Sequence, residues 1–108
     1  MKKSVRYKGT EVVYSQVGVG RGVLLLHGFL EERGMWNGIV QQLASDFLVL
    51  TIDLLGHGET GCIGYVHSME EQANAVLAVM KDSGLEKAAV IGHSMGGYVA
   101  LSLLDLAP

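Results

Sequence analysis

The chain has 108 residues, 49% of them hydrophobic, and a formal net charge of −3, which suits one modest domain with a real core and, with no Lys/Arg cluster and no acidic tail, argues against nucleic-acid binding and against disorder. No apolar run is long enough to cross a membrane, and the basic start Met1-Lys2-Lys3 leads into the polar alternation Ser4-Val5-Arg6-Tyr7-Lys8 rather than a secretory leader. Cys62 is the single cysteine, so no disulfide forms within the chain and a cytoplasmic setting is expected.

Ser4 to Tyr7 and Glu11 to Val17 alternate as strands do, with Lys8-Gly9-Thr10 between them, and predict an antiparallel hairpin. Gly18-Val19-Gly20-Arg21-Gly22 is a flexible connection; its glycines precede a strand instead of following one, which argues against a phosphate cradle. Val23-Leu24-Leu25-Leu26 is an unbroken apolar run, the mark of a strand covered on both faces. His27-Gly28-Phe29 leaves its end, and Leu30 to Gly34 reads as an exposed loop. Trp36, Ile39, Val40 and Leu43 recur at helical spacing and predict a first helix to about Ala44.

Phe47 to Ile52 reads as a second buried strand, followed by the long glycine-bearing loop Asp53-Leu54-Leu55-Gly56-His57-Gly58-Glu59-Thr60-Gly61. Ser68 with Glu71 three residues on is a capping box. It opens a helix whose apolar stripe is Met69, Ala73, Val76, Leu77 and Met80, and Gly84 closes it as a left-handed cap, with Leu85 folding back on Met80. Ala88 to Ile91 is a third buried strand, and Tyr98 to Leu106 is helical. Strands alternating with helices imply right-handed crossovers and a parallel sheet, with functional residues at the carboxyl ends of its strands. His27, Asp53 and Ser94 all fall at such ends.

Between the third strand and the last helix stands G-x-S-x-G, Gly92-His93-Ser94-Met95-Gly96, followed by Gly97. In that context the pattern is a nucleophile elbow. A strand that turns at once into a helix needs a very tight bend; Gly92 and Gly96 remove side chains that would collide there, and Gly97 allows close helix packing. The serine is held clear of the backbone, facing the positive end of the new helix, where N–H groups favour a developing oxyanion. The bland alternative is a glycine-rich turn without chemistry.

These residues resemble the α/β-hydrolase superfamily: Leu25-Leu26-His27-Gly28-Phe29 looks like its oxyanion loop, Asp53-Leu54-Leu55-Gly56-His57-Gly58 like the loop after its fourth strand, and Gly92-His93-Ser94-Met95-Gly96-Gly97 like its elbow. The three occur in the family's order and span nearly the whole chain, nearest the branch of small soluble esterases, enol-lactonases and acyl-transfer relatives. The resemblance implies an incomplete α/β-hydrolase fold: a three-layer sandwich, its mostly parallel sheet carrying an N-terminal antiparallel hairpin and flanked by helices on both faces. It implies Ser94 as nucleophile, backbone N–H groups of Met95 and Phe29 as the oxyanion hole, and His27, Gly28, Gly92, His93, Gly96, Gly97, Asp53, Gly56, His57 and Gly58 as supports.

Against the family pattern, whose triad runs Ser, then Asp or Glu, then His, no His follows Ser94, Asp105 is the only later acid, and the chain ends fourteen residues after Ser94. Residues 1–108 are therefore expected to be the N-terminal part of one hydrolase domain, inactive by itself, with the cap, the acid and the His of the triad outside it. A triad rewired through His27, His57 or His93 is disfavoured, because each has a ready structural role. Asp53, His57, Glu59 and His67 lack the spacing of a standard metal site, so neither metal nor cofactor is expected. Cys62 shows no activating partner. The expected reaction is transfer of an acyl group from a carboxylic ester or related small-molecule acyl substrate to water. The alternatives are a lyase, acyltransferase or C–C hydrolase, or a non-catalytic domain keeping the elbow as architecture. Val99, Ala100, Leu101, Leu103, Leu104 and Leu106 leave the last helix almost no polar face, so it expects burial on most sides. The strand at 88–91 is expected to be an apolar edge open to pairing, which points to self-association or a C-terminal partner chain.

Overall fold

The N-terminal hairpin pairs β1 (Lys2–Tyr7) with β2 (Thr10–Val17) in antiparallel register, Tyr7 opposite Thr10. Only Lys8 (φ 47°) and Gly9 (φ 82°) make the turn. Two consecutive left-handed residues match the right-handed twist of the flanking strands, the type I′ arrangement. The computed structural model describes residues 2–28, 31–61 and 68–106.

The other strands are β3 (Arg21–Leu26), β4 (Phe47–Ile52) and β5 (Ala88–Gly92), and the order across the sheet is β1-β2-β4-β3-β5. β2 pairs antiparallel with β4, while β3 lies parallel to β4 on one side and to β5 on the other. Being internal, β3 buries Val23, Leu24, Leu25 and Leu26 alike, which is why it reads as a continuous apolar run instead of alternating.

The connections leave β3 in opposite directions. From β3 the chain goes to β4 through the short 3₁₀ turn Arg33–Trp36 and α1 (Asn37–Leu43); from β4 it returns across β3 to β5 through α2 (Met69–Ser83), and α3 (Met95–Leu106) follows β5. Two crossovers of the same hand running in opposite directions put their helices on opposite faces. The core divides accordingly. Leu24, Leu26, Leu50 and Ile52 face Ala73, Val76, Val79, Val99 and Leu103 of α2 and α3. Val23, Leu25 and Val49 pack with Trp36, Val40 and Leu43 on the other face.

The capping of α2 is as the residues dictate. Ser68 Oγ accepts the Glu71 N–H at 3.0 Å, Gly84 is left-handed at φ 79°, and the Leu85 N–H reaches the Met80 carbonyl at 2.9 Å while the Gly84 N–H reaches that of Lys81, a Schellman closure. The last helix starts at Met95 and not at Tyr98, because the Gly96 and Gly97 N–H groups already bond the carbonyls of His93 and Ser94. It is also less buried than its composition suggests: Val99 and Leu103 face the core, but Tyr98, Leu101 and Leu104 are exposed. Among the described residues β5 pairs with β3 alone, and Ile91 is 45% exposed on the face that carries α1.

Candidate active site

The β3 exit leads to α1 on one face of the sheet, and the β5 exit leads to α3 on the other. Adjacent parallel strands whose connections diverge leave a crevice at their carboxyl ends. Gly28 and Ser94 stand at its two sides.

Ser94 is exposed and has φ 55°, in the left-handed region. A non-glycine residue persists there only when its surroundings force it, and here the backbone does. A Cβ on Gly92 would stand 2.4 Å from the Gly96 carbonyl group, and one on Gly96 would stand 2.2 Å from the Leu26 carbonyl oxygen and 2.6 Å from that of His27. The turn is thus jammed against the end of β3 at Gly96 and against its own backbone at Gly92, so neither position admits a side chain. Gly97 is under no such constraint, since a Cβ there would come no nearer than 3.8 Å to Gly92 O; close helix packing does not require it. Met95 opens α3, which places its N–H among the first-turn donors that have no partner within the helix.

His27 is fully buried. The Leu54 N–H donates to its Nε2 at 2.9 Å, so the proton sits on Nδ1, which lies 2.7 Å from the Gly28 carbonyl oxygen and donates to it. Burial pushes its pKa below the ordinary histidine value. The ring is a neutral tie between the loops after β3 and β4, with both nitrogens engaged. His57 packs against it, ring centroids 5.0 Å apart, and its Nδ1 donates to the Leu55 carbonyl at 2.9 Å. His93 donates its backbone N–H to Leu26 O at 2.9 Å and its Nδ1–H to Glu31 Oε1 at 2.9 Å.

Asp53 is fully buried. Its carboxylate accepts the Arg33 N–H at 2.7 Å, the Glu59 N–H at 2.9 Å and the Arg33 guanidinium. Gly58 turns over it at φ 53°, where a Cβ would lie 2.4 Å from the carboxylate carbon. That contact explains the spacing between Asp53 and the second glycine of the loop. Arg33 also donates to Ser15 Oγ at 2.9 Å and to Glu59 at 3.1 Å. Sequence reasoning missed it: Arg33 falls in a stretch expected as an exposed loop, and nothing local marks an arginine that a distant buried aspartate draws inward. Gln72 was missed too. It is buried in α2, its Oε1 accepting the Leu55 N–H at 2.7 Å and its Nε2 donating to Leu55 O at 3.1 Å. The signal was available, since Gln72 sits on the apolar stripe between Met69 and Val76.

Phe29, Cys62 and His67 lie outside the described residues. Among the described residues no group of three or more His, Cys, Asp or Glu side chains is placed to hold a metal ion, and Asp53 is committed to Arg33 and two backbone donors.

The family model for the alpha/beta hydrolase fold matches residues 22–108. The chain belongs to the α/β-hydrolase fold family. It is 37% identical over 101 residues to the dihydrolipoyllysine-residue acetyltransferase component of the acetoin cleaving system of Cupriavidus necator, covering 93% of this chain and 27% of that protein. It is 34% identical over 99 residues to the pimeloyl-[acyl-carrier protein] methyl ester esterase of Vibrio parahaemolyticus, covering 92% and 37%. The thermophilic esterase from Thermogutta terrifontis superposes with a TM-score of 0.89 at 33% identity, covering 97% of this chain and 40% of that one. The chain therefore spans between 27% and 40% of the length of these relatives. The segment that the family model matches runs from β3 through α3, and no helix among the described residues is long and apolar enough to cross a membrane.

Proposed function

We propose that this chain carries the nucleophile and oxyanion-binding part of a serine hydrolase acting on a carboxylic ester or related small acyl substrate. The observation that carries the reading is the left-handed conformation of exposed Ser94 at the turn from β5 into α3. Ser94 Oγ attacks the substrate carbonyl carbon, its proton passing to a histidine base. The oxyanion forms against the Met95 and Phe29 N–H groups. Collapse of the tetrahedral intermediate expels the alcohol, and water releases the acid by the same route.

In this reading the base comes from outside the described residues. His27 has both nitrogens occupied by backbone partners, His57 and His93 each commit Nδ1 elsewhere, and no histidine follows Ser94. The β5 edge and the outward side of α3 are where the rest of the assembly docks, whether a further part of the polypeptide, a partner chain or a second copy. The single cysteine fits a cytoplasmic setting.

Labelling with a fluorophosphonate probe tests the reading. The chain reacts slowly at Ser94, Ser94→Ala does not react, and ester turnover by the chain alone stays near background. Equal labelling of the Ser94→Ala variant overturns the assignment of the nucleophile. Rapid Ser94-dependent turnover overturns the external base.

A further inference from the structure

The β3–β5 ladder ends at the pair Leu26 and Gly92, with one more bond from the His93 N–H to Leu26 O. Beyond it the two strand exits diverge, and the sheet no longer holds the segment that starts at His27 against the elbow. One side chain spans that gap. Glu31 Oε1 accepts the Gly28 N–H at 2.7 Å and the His93 Nδ1–H at 2.9 Å. The Glu31 N–H returns to the Gly28 carbonyl at 3.2 Å, and the same carbonyl accepts His27 Nδ1–H. The Gly28 N–H and carbonyl are therefore both engaged. A Cβ at Gly28 would stand 2.5 Å from Glu31 Oε1 and 3.2 Å from His93 Nδ1, so a side chain there would displace the carboxylate. The carboxylate is held below the usual glutamate range, first by its bond to His93 and also by the Gly28 N–H.

We propose that Glu31 is a positioning residue, a clamp whose carboxylate locks the oxyanion loop to the elbow residue that precedes Ser94. Resting on the serine-hydrolase reading, it assigns Glu31 the task of holding the Gly28 end of the loop in place relative to Ser94. Hydrogen bonds to a charged acceptor are about twice as strong as neutral ones, which suits a loop that leaves the sheet with no ladder to hold it.

Two measurements on the chain test the clamp. In amide exchange followed by NMR, Glu31→Ala exposes Gly28 about ten- to a hundredfold faster, while the Leu54 amide, bonded to His27 one strand away, keeps its rate. Glu31→Gln, which retains an acceptor oxygen, returns Gly28 to within about threefold of the parent. An unchanged Gly28 rate in Glu31→Ala overturns the clamp, and so does a parallel rise at Leu54, which marks general loosening. In fluorophosphonate labelling, Glu31→Ala lowers the limiting rate at saturating probe about tenfold and leaves the half-saturating concentration in place. The opposite split overturns the positioning role. Absence of Ser94-dependent labelling in the parent overturns the hydrolase reading instead, and the Gly28 and Leu54 rates still decide the clamp.

Discussion

Gly96, in the first turn of α3, lies against the carbonyl oxygen of Leu26 so closely that a Cβ would stand 2.2 Å from it. Backbone meets backbone there, so neither side can rotate away. The elbow is seated on the end of the neighbouring strand as much as at the end of its own.

Gly96→Ala therefore destabilises by about 3 kcal/mol or more, through forced backbone movement. Gly97→Ala, one residue on, meets nothing nearer than 3.8 Å and stabilises by up to about 1 kcal/mol, because alanine is the better helix former. Urea unfolding midpoints at constant m-value read both. Equal losses at the two positions would show that the contact with Leu26 is not what demands glycine.

Arg33→Ala strips the guanidinium from a fully buried Asp53. Two backbone N–H donors remain, so the expected loss is about 2–4 kcal/mol, toward the lower end of the range for breaking a buried pair. Arg33→Lys recovers less than half of it, since an ammonium cannot serve Ser15, Asp53 and Glu59 as a fork does. Denaturant midpoints of the two variants check the order.

Stability falls as the pH drops below 6.5. The folded-state pKa of His27 is depressed by burial below the ordinary histidine value of 6.5, so below that value the unfolded chain binds the proton that the folded chain refuses, until the folded pKa is reached in turn. His27→Gln flattens the slope in that window by up to about 1.4 kcal/mol per pH unit. Thermal midpoints between pH 7 and pH 5 for both proteins measure it, and an unchanged slope would remove His27 as the source.

Tyr98, Leu101 and Leu104 are exposed along α3. A groove of about 830 Å³ beside them, lined by Leu77, Met80, Leu85, Val90 and Ala100, continues the apolar surface. The chain alone is expected to associate with rising concentration in sedimentation velocity, and the double substitution Leu101→Lys, Leu104→Lys to return it to a monomer. A parent that stays monomeric throughout would sink this expectation.

The periodicities at 23–26, 47–52 and 69–83 and the glycine punctuation around Ser94 carried nearly all of the fold, because each signal is local: a doubly covered strand, a capped helix and a tight turn write themselves into neighbouring residues. At the candidate site the backbone of the turn was legible, as at Gly92, Ser94 and Gly96. The site was illegible where a side chain finds its partner across the sheet. Arg33 meets Asp53 from the loop after another strand, Gln72 satisfies Leu55 from a helix, and Glu31 meets His93 across the crevice. Such pairs are set by the meeting of strand ends, and no spacing along the chain announces them.

The strand order has a consequence for synthesis. β3 is made early but sits between β4 and β5, so one of its edges stays bare until residues 88–92 arrive. The Gly96 turn that follows Ser94 rests on Leu26, seventy residues upstream. A chain growing from its N-terminus thus has its hairpin and first parallel pair in hand before the elbow can seat on the end of β3.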